Sequence, residues 1–476
     1  MKDNEIIKYI QSIEDRFPVN EWMIQGRHVW PLIKMIICSE LSIENNKKIK
    51  KRAGKVSGFI SRLKRHKSIL SYDGISKKNA DILIYHHNIS RTLKLDNGTF
   101  FNVNLDPFAL LLEKDFDILS LECMGDSHVS DKFRNTHVID GYYQRSLLSS
   151  KLLYKFVTFN TCLKKYDAFL EECDETLKRA LQERNICRLI YFMNDYSKLY
   201  GNIIKNNGVK LVITGCGYGI DTASIFMACK DHGIKCMEVQ HGLAAGNGHR
   251  WYASWEKMPL DGTRYEMLPD IYWCWTERDK MVIDSWSGKM HMTHMGMRPI
   301  YSVMDIVEKM TSKMSLCINN GLPKILLSLQ PEVEYPRWLS EVIQETFTTY
   351  NWIIRKHPRV DDYQRDFIAR VYGMPNVYID GVENIMLEKI LMNTDLHITN
   401  HSAVTIDALA FGIKSIILSD EYECVFKQQI ADGNVFVGSQ KNILMKLIKD
   451  NITKRNVGIR IKEISERNEA FFKSII

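Results

Sequence analysis

Short apolar runs alternate with helical stretches from residue 80 onward, and this alternation restricts the fold more than any other feature. The strand-like runs of the first half are DILIYHHN, DILSLE, VKLVITG, CMEVQHG and DIYWCW, beginning at residues 81, 117, 209, 236 and 270. Those of the second half are KILLSLQ, NWIIRKHP, VYID, DLHITN and KSIILSD, beginning at residues 324, 351, 377, 395 and 414. Alternating strands and helices predict parallel sheets covered on both faces. We therefore expect an α/β protein with two doubly wound, Rossmann-like domains that face each other across a cleft.

The 476 residues are too many for one ordinary domain. We predict an amino-terminal helical segment over 1–70, a first α/β domain over 71–300, a linker over 301–321, a second α/β domain over 322–440 and carboxy-terminal helices over 441–476. Within the domains, apolar periodicity predicts a helix that ends at the Asn-Asn-Gly of 206–208. Further helices are expected over 221–232 and 338–348.

The positive charge of the chain is concentrated in one segment. Ten Lys and Arg and no acidic residue fall within 47–67, and without these ten cations the net charge of +7 becomes −3. Apolar residues in this segment recur at helical spacing, so we expect a helix that either lies on an anionic membrane surface or packs on its own domain. The rest of the chain lacks the charge of a nucleic-acid-binding surface.

The cysteines give no sign of a zinc site or a disulfide framework. The 11 cysteines are scattered without a Cys-x-x-Cys pair. No signal peptide and no membrane span are predicted, so we expect a cytoplasmic protein without a metal.

Two polar clusters follow strands of the second half. The first, RKHPR, contains Arg355, Lys356, His357 and Arg359. Cations and a histidine at one strand end are suited to an anion, most simply phosphate, although a solvated turn is the alternative.

The second cluster is TNHSAVTIDALAFG, beginning at residue 399. Ser402 is expected to cap a helix whose amino terminus could hold a phosphate, although a plain capped helix explains the pattern equally. The further candidates in this cluster are His401, Thr405 and Asp407. Between the two clusters, Asp380 ends VYID and Gly381 follows it. These two residues form either a nucleotide contact or a simple turn.

The strand ends of the first half carry histidines and glycines. The candidate acceptor or cleft residues are His86, Asn88, Gly217, Tyr218, Gln240, Gly242 and His249. Gly215, Gly217 and Gly219 form GxGxG, which differs from the GxGxxG dinucleotide fingerprint, so an NAD site is not expected. His241 is a candidate for acid–base work because imidazole titrates near neutral pH, with a structural histidine as the alternative.

EVQHG, RKHPR and TNHSAVTIDALAFG together resemble bacterial glycosyltransferases of the two-domain GT-B fold that build capsule and lipopolysaccharide O-antigen. The His-Pro element is similar to that of transferases of CMP-activated sialic acid and Kdo and of CDP-glycerol polymerases. The resemblance implies that His357, Ser402 and Thr405 hold the nucleotide phosphate. The Asp/Glu-Asp/Glu-Gly motif of the sialyltransferases is missing, so the resemblance assigns no general base.

The implied reaction transfers a sugar from a nucleotide-sugar donor, bound by the second domain, to a glycan or lipid-linked glycan acceptor bound by the first. Cations and the helix terminus would stabilise the departing phosphate without a metal or cofactor. The candidate bases are His241, His87 and Asp221. Peripheral contact with the inner membrane through 47–67 is expected, and nucleic acid is not. The alternatives are a CDP-glycerol-type glycerophosphotransferase, a nucleotide-sugar epimerase and a non-catalytic membrane- or nucleic-acid-binding protein.

Overall fold

The computed structural model describes residues 3–46, 79–87, 91–123, 131–242, 251–252, 255–287, 290–312, 318–357, 360–452 and 461–476. The chain divides into two compact units. The first unit comprises Met1–Arg91, Asn102–Ser302 and Ile464–Ile476, and the second comprises Thr92–Phe101 and Val303–Glu463.

The first unit is built on a seven-stranded parallel sheet with the strand order β12-β11-β10-β9-β3-β6-β7. Its strands are β3 Ile82–His87, β6 Ile118–Cys123, β7 His137–Val138, β9 Leu211–Gly215, β10 Lys235–Val239, β11 Ile271–Cys274 and β12 Met292–Met295. The central strands are buried on both faces, which explains why they are continuous apolar runs in the sequence. The order reverses between β3 and β9, and ligands of such sheets bind outside the carboxyl ends of the strands at this point.

The described helices of the first unit are α1 Asp3–Arg16, α2 Trp30–Asn46, α3 Asp106–Leu112, α4 Asp140–Leu152, α5 Tyr166–Glu172, α6 Glu175–Ala180, α7 Glu183–Asn207, α8 Ile220–His232 and α9 Glu277–Ser287. The carboxy-terminal helix α17 Ile461–Ile475 belongs to this unit from Ile464 onward. Helix α7 ends where the sequence predicts. Gly208 adopts a φ of 69° and donates its N–H to the carbonyls of Ile204 and Lys205. This left-handed cap favours glycine because a Cβ would be strained there.

The amino-terminal segment differs from the helical prediction for 1–70. Between α1 and α2 lies a hairpin of β1 Met23–Ile24 and β2 Arg27–His28, and β1 also pairs with β8 Thr161–Cys162. Gln25 and Gly26 form the turn with φ values of 52° and 73°. Strands of two residues are too short to show a period of two, so the sequence pattern did not reveal them. The basic segment 47–67 lies outside the described residues.

The second unit contains a six-stranded parallel sheet with the order β15-β14-β13-β16-β17-β18. Its strands are β13 Lys324–Ser328, β14 Asn351–Arg355, β15 Val377–Tyr378, β16 Leu396–Thr399, β17 Ser415–Ile417 and β18 Val435–Val437. The order reverses between β13 and β16. The prediction of two doubly wound parallel sheets is confirmed.

The described helices of the second unit are α10 Met304–Met310, α11 Arg337–Thr346, α12 Asp362–Val371, α13 Leu387–Met392, α14 Val404–Ala410, α15 Lys427–Ala431 and α16 Lys441–Asn451. β4 Arg91–Lys94 and β5 Phe100–Asn102 form a two-stranded hairpin. Its end residues, Arg91 and Asn102, belong to the first unit, whereas Thr92–Phe101 belong to the second. Among the described helices, none has the length and apolar character that crossing a membrane requires.

Candidate functional site

Three adjacent strands of the second unit end side by side, and hydrogen bonds of Leu329 and Gln330 connect their ends. The Gln330 side chain, which follows β13, accepts hydrogen bonds from the His401 N–H at 2.7 Å and the Thr399 hydroxyl at 3.4 Å. On the other side, the Leu329 N–H donates to the Arg355 carbonyl at 2.9 Å. The two predicted polar clusters therefore lie at one edge of the sheet, two strand spacings or about 10 Å apart.

The two described cations of the first cluster, Arg355 and Lys356, have partners within the second unit. Arg355 Nη1 donates to the carbonyls of Val382 and Ile385 at 2.9 and 2.7 Å. Lys356 Nζ pairs with Glu383 Oε1 at 2.9 Å. These contacts hold the segment after β15 against β14.

His357 is half-buried at the end of the same strand. Its backbone N–H donates to Gln364 Oε1 at 3.0 Å, which fixes the chain direction after β14. Pro358 and Arg359 lie outside the described residues. Among the described residues of RKHPR, His357 stays the candidate for binding a phosphate.

His401 is held by its neighbours in the second cluster. Its Nδ1 lies 2.8 Å from Asn400 Oδ1, and its ring stacks on Tyr422 with centroids 3.8 Å apart. Burial lowers the pKa of His401 to about 4, although the charge of Glu421 acts in the opposite direction. The imidazole is therefore neutral at pH 7 and supplies no positive charge to a phosphate.

The helix after His401 begins later than the sequence predicts. Ala403, not Ser402, is the N-cap residue of α14, and the Ser402 hydroxyl accepts only a long contact of 3.3 Å from the Val404 N–H. The prediction of a Ser402 cap is wrong because Ser402 and Ala403 form a turn that precedes the first helical residue. Thr405 is fully buried and Asp407 is 1% exposed. Asn400, His401 and Ser402 of this cluster are half-buried.

Asp380 and Gly381 form a turn after β15. Asp380 accepts a hydrogen bond from the exposed Tyr372 hydroxyl at 2.9 Å. Gly381 has a φ of 77°, which permits the turn into a short helical segment over Val382–Asn384. These features stabilise the turn that follows β15.

A buried histidine that sequence reasoning did not single out lies within this sheet. His397 on β16 contacts the hydroxyls of Ser328 at 3.1 Å and Ser415 at 3.0 Å. Burial lowers the pKa of His397 to about 3, so the ring is neutral. It joins β13, β16 and β17 immediately behind the strand ends. The sequence feature that could have identified His397 is a histidine in the middle of an otherwise apolar strand.

In the first unit, Glu238 connects the ends of β9 and β10. Its Oε1 accepts the Gly217 N–H at 2.8 Å and also the Tyr252 hydroxyl. A Cβ on Gly217 would lie 2.0 Å from Glu238 Oε2, so any other residue would force the Glu238 carboxyl group to move. Burial raises the pKa of Glu238 to about 7. The GxGxG segment is thus explained in part by the close approach of this carboxyl group.

Gln240 and Gly242 shape the chain after β10. The Gln240 side chain accepts the Trp275 N–H and donates to the Gly242 carbonyl, both at 2.7 Å. Gly242 adopts a φ of 82°. The side chain of His241 between them is exposed to solvent. The turn after β10 is thus held by hydrogen bonds, and the imidazole of His241 is exposed at this edge of the sheet.

Asp221 lies in the first turn of α8, directly after β9. Its Oδ2 accepts a hydrogen bond from the Tyr85 hydroxyl on β3 at 2.7 Å. Burial and the charge of Asp221 raise the pKa of Tyr85 well above 10, so the phenol stays protonated. The pair spans the point where the strand order reverses. Asp221 and His241 therefore follow neighbouring strands at the same edge.

Tyr218 contributes to an apolar pocket beside this edge. The pocket has a volume of about 430 Å³ and is lined by Tyr218, Ile220, Trp251 and residues of α2 that include Leu32 and Ile36.

The backbone of His87 pairs with Cys123 at the end of β3. Asn88 and His249 lie outside the described residues.

A buried charged cluster lies at the ends of β3 and β6. Arg91 contacts Glu122 through Nε at 2.9 Å and Asp106 through Nη1 at 3.1 Å. Lys132 Nζ lies 2.6 Å from Glu122 Oε2. The partners of Arg91 are 15 and 31 residues away in sequence, so only the folded chain brings the cluster together.

His86 and Asn102 complete the cluster. His86 is fully buried, with Nδ1 3.8 Å from Asp106 Oδ1 and 3.4 Å from Asn102 Nδ2. The Asn102 N–H donates to Asp106 Oδ2 at 2.7 Å. Burial raises the pKa of Asp106 to about 6, against the opposing charge of Arg91. The cluster anchors both ends of the β4–β5 hairpin, and His86, predicted as an acceptor or cleft residue, is fully buried within it.

No protein-family model and no curated protein sequence matches the chain. Similar solved structures include the UDP-GlcNAc 2-epimerase of Neisseria meningitidis bound to UDP-GlcNAc, with 14% identity and a TM-score of 0.47 over 83% of this chain and 99% of that one. The UDP-GlcNAc 2-epimerase of Methanocaldococcus jannaschii gives 12% identity and 0.48 over 83% and 99%. The calicheamicin glycosyltransferase CalG4 gives 12% and 0.41 over 84% and 95%. The named activities and ligands are those of these proteins.

Proposed function

We propose that this chain is an enzyme that acts on a nucleotide-activated sugar. The observation that supports the proposal most directly is the edge of the second sheet, where the ends of β14, β13 and β16 carry His357, Gln330 and Ser402 at the reversal of strand order. Open α/β sheets bind ligands at this place. The nucleotide phosphate would lie between the ends of β14 and β16.

The chemistry of that edge is suited to a phosphate held by positioned groups. The Gln330 side chain is committed to Thr399 and to the backbone of His401, so the strand ends are fixed before a ligand arrives. His357 and the Ser402 hydroxyl are then the side chains that would donate to phosphate oxygens. Such preorganised donors stabilise a departing phosphate because they need no reorganisation during the reaction.

In the first unit, the side chains suited to acid–base chemistry are His241 and Asp221. His241 is exposed at the end of β10, and Asp221 is oriented by the Tyr85 hydroxyl. Glycosyl transfer needs one base to deprotonate an acceptor hydroxyl, and His241 fills that role. The resemblance of EVQHG, RKHPR and TNHSAVTIDALAFG to surface-polysaccharide transferases agrees with this reaction.

A nucleotide-sugar epimerase is the second candidate. Inversion of a carbon centre needs one group to remove a proton and another to return one on the opposite face. Asp221 and His241 follow neighbouring strands, so the same edge offers two titratable groups. Epimerisation also needs no acceptor, which makes the two reactions separable by experiment.

The experiment incubates the purified chain with UDP-GlcNAc, CMP-Kdo and CDP-glycerol in D₂O, with and without a glycan acceptor, and follows products by NMR. Acceptor-dependent release of nucleotide identifies a transferase. Deuterium on a sugar carbon without acceptor identifies an epimerase. Release of CMP with transfer of glycerol phosphate identifies a phosphotransferase. Turnover of none of these donors would contradict the proposal.

A further inference from the structure

A polar pocket of about 610 Å³ lies in the first unit, away from the groups discussed above. Its walls come from the β1–β2 hairpin turn, from α7 and from the last residues of α8. We call it the Arg27 pocket. Its volume falls within the range of pockets that hold small molecules.

The Arg27 pocket lies at the amino edge of the sheet. Asp231 and His232, which line it, end α8 just before the chain enters β10 at Lys235. His241 follows the opposite end of that strand. Five strand residues span about 16 Å, so the pocket is separate from the carboxyl edge.

The polar wall of the pocket is fixed before a ligand binds. Arg27 Nη1 and Nη2 donate to the two carboxylate oxygens of Asp231 at 2.7 and 2.5 Å, and Nε donates to Asn194 Oδ1 at 3.3 Å. The hairpin turn over Gln25 and Gly26 sets the direction of Arg27. A guanidinium held in this way presents a planar hydrogen-bonding surface without losing side-chain freedom on binding.

The remaining lining combines aromatic rings with balanced charge. Tyr191 and Phe159 are half-buried in the wall. Arg27 and Lys198 are offset by Asp195 and Asp231, so, His232 aside, the formal charges of the lining cancel. A nucleotide or a lipid phosphate would find no net positive charge here. A ligand with hydroxyl groups and apolar C–H faces matches both the amides and the rings.

We propose that the Arg27 pocket binds an uncharged saccharide of one or two sugar residues. The saccharide stacks a C–H face on Tyr191 or Phe159 and places hydroxyls on the Arg27–Asp231 pair and Asn194. This inference does not depend on the reaction proposed above, because it rests on the amino edge alone.

Saturation-transfer NMR on the full chain tests the proposal with glucose, galactose, N-acetylglucosamine and lactose at millimolar concentration. Glucose 6-phosphate and N-acetylneuraminic acid serve as charged counterparts. Asn194→Trp fills the pocket, and Asn202→Trp places the same change on an exposed α7 position outside it. We expect transfer to a neutral saccharide that Asn194→Trp abolishes and Asn202→Trp leaves unchanged.

Tyr191→Ala provides a second variant should Asn194→Trp disturb folding, as checked by circular dichroism. Loss of a stacking ring lowers saccharide affinity about five-fold. The proposal is overturned if no neutral saccharide receives saturation, if the charged compounds bind more strongly, or if Tyr191→Ala and a folded Asn194→Trp both bind as the wild type does.

Discussion

Replacing Gly217 with alanine tests the packing that joins β9 to β10. The new Cβ would lie 2.0 Å from Glu238 Oε2, 2.5 Å from Cδ and 2.9 Å from Oε1. Glu238 is 1% exposed and already bonded to the Gly217 N–H and the Tyr252 hydroxyl, so its carboxyl group has little freedom to move. Overpacking costs about 1–3 kcal/mol and a lost buried hydrogen bond about 1–3 kcal/mol.

The backbone of Gly217 does not oppose the change, because its φ is not positive. Reduced freedom of the unfolded chain returns about 0.4–1 kcal/mol. We therefore expect Gly217→Ala to lower the free energy of unfolding by about 3 kcal/mol. Urea denaturation followed by circular dichroism measures this loss.

Gly215→Ala is the matched control, since its Cβ would meet only Leu105 Cδ1 at 3.9 Å. We expect it to change stability by less than about 1 kcal/mol. Adding Glu238→Ala to Gly217→Ala removes the colliding group, so the double variant should be more stable than the sum of the single effects predicts, by about 2 kcal/mol. Equal stability of Gly217→Ala and Gly215→Ala, or strict additivity of the two single effects in the double variant, would refute the reasoning.

Three further outcomes are expected. Because burial raises the pKa of Glu238 from 4.5 to about 7, the folded state keeps the proton to higher pH than the unfolded state does. The stability of the wild type relative to Glu238→Gln should therefore fall by about 3 kcal/mol between pH 4.5 and 7 and stay level above pH 7. If pH-dependent denaturation shows the same stability difference between the two proteins at every pH, Glu238 is not a buried, protonated carboxyl group. Arg91→Met leaves Asp106 and Glu122 without their shared cation and should cost about 3–5 kcal/mol in thermal or urea unfolding, with a near-neutral result arguing against the anchor. His241→Ala should lower kcat by about 100-fold with nucleotide affinity retained, and full turnover in steady-state kinetics would remove it as the base.

The sheets were predictable from the sequence, whereas most of the contacts at their edges were not. Strands such as Leu211–Gly215 and Lys324–Ser328 are buried on both faces, so they appear as apolar runs that helices separate. The end of α7 was predictable because Gly208 supplies a left-handed cap. The β1–β2 hairpin escaped prediction because two-residue strands carry no periodic signal.

The roles of the polar residues depend on partners that sequence spacing does not reveal. Arg355 and Lys356 suggest a phosphate site in the sequence, yet the fold supplies backbone carbonyls and Glu383 as their partners. Burial of His401 removes the positive charge that the pattern suggested. Arg91, Asp106 and Glu122 meet only through tertiary structure. Local pattern therefore located the sheet edges but not which of their side chains remain accessible.

Calorimetric titration with UDP, UMP, CDP and CMP tests the proposed nucleotide site of the second unit most directly. We expect at least one of these nucleotides to bind and His357→Ala to weaken it about 30-fold, as the loss of about 2 kcal/mol from one charge-assisted hydrogen bond implies. His137→Ala, which removes an exposed histidine of the first unit, should bind as the wild type does. Absence of binding by all four nucleotides, or equal affinity in both variants, would contradict the account.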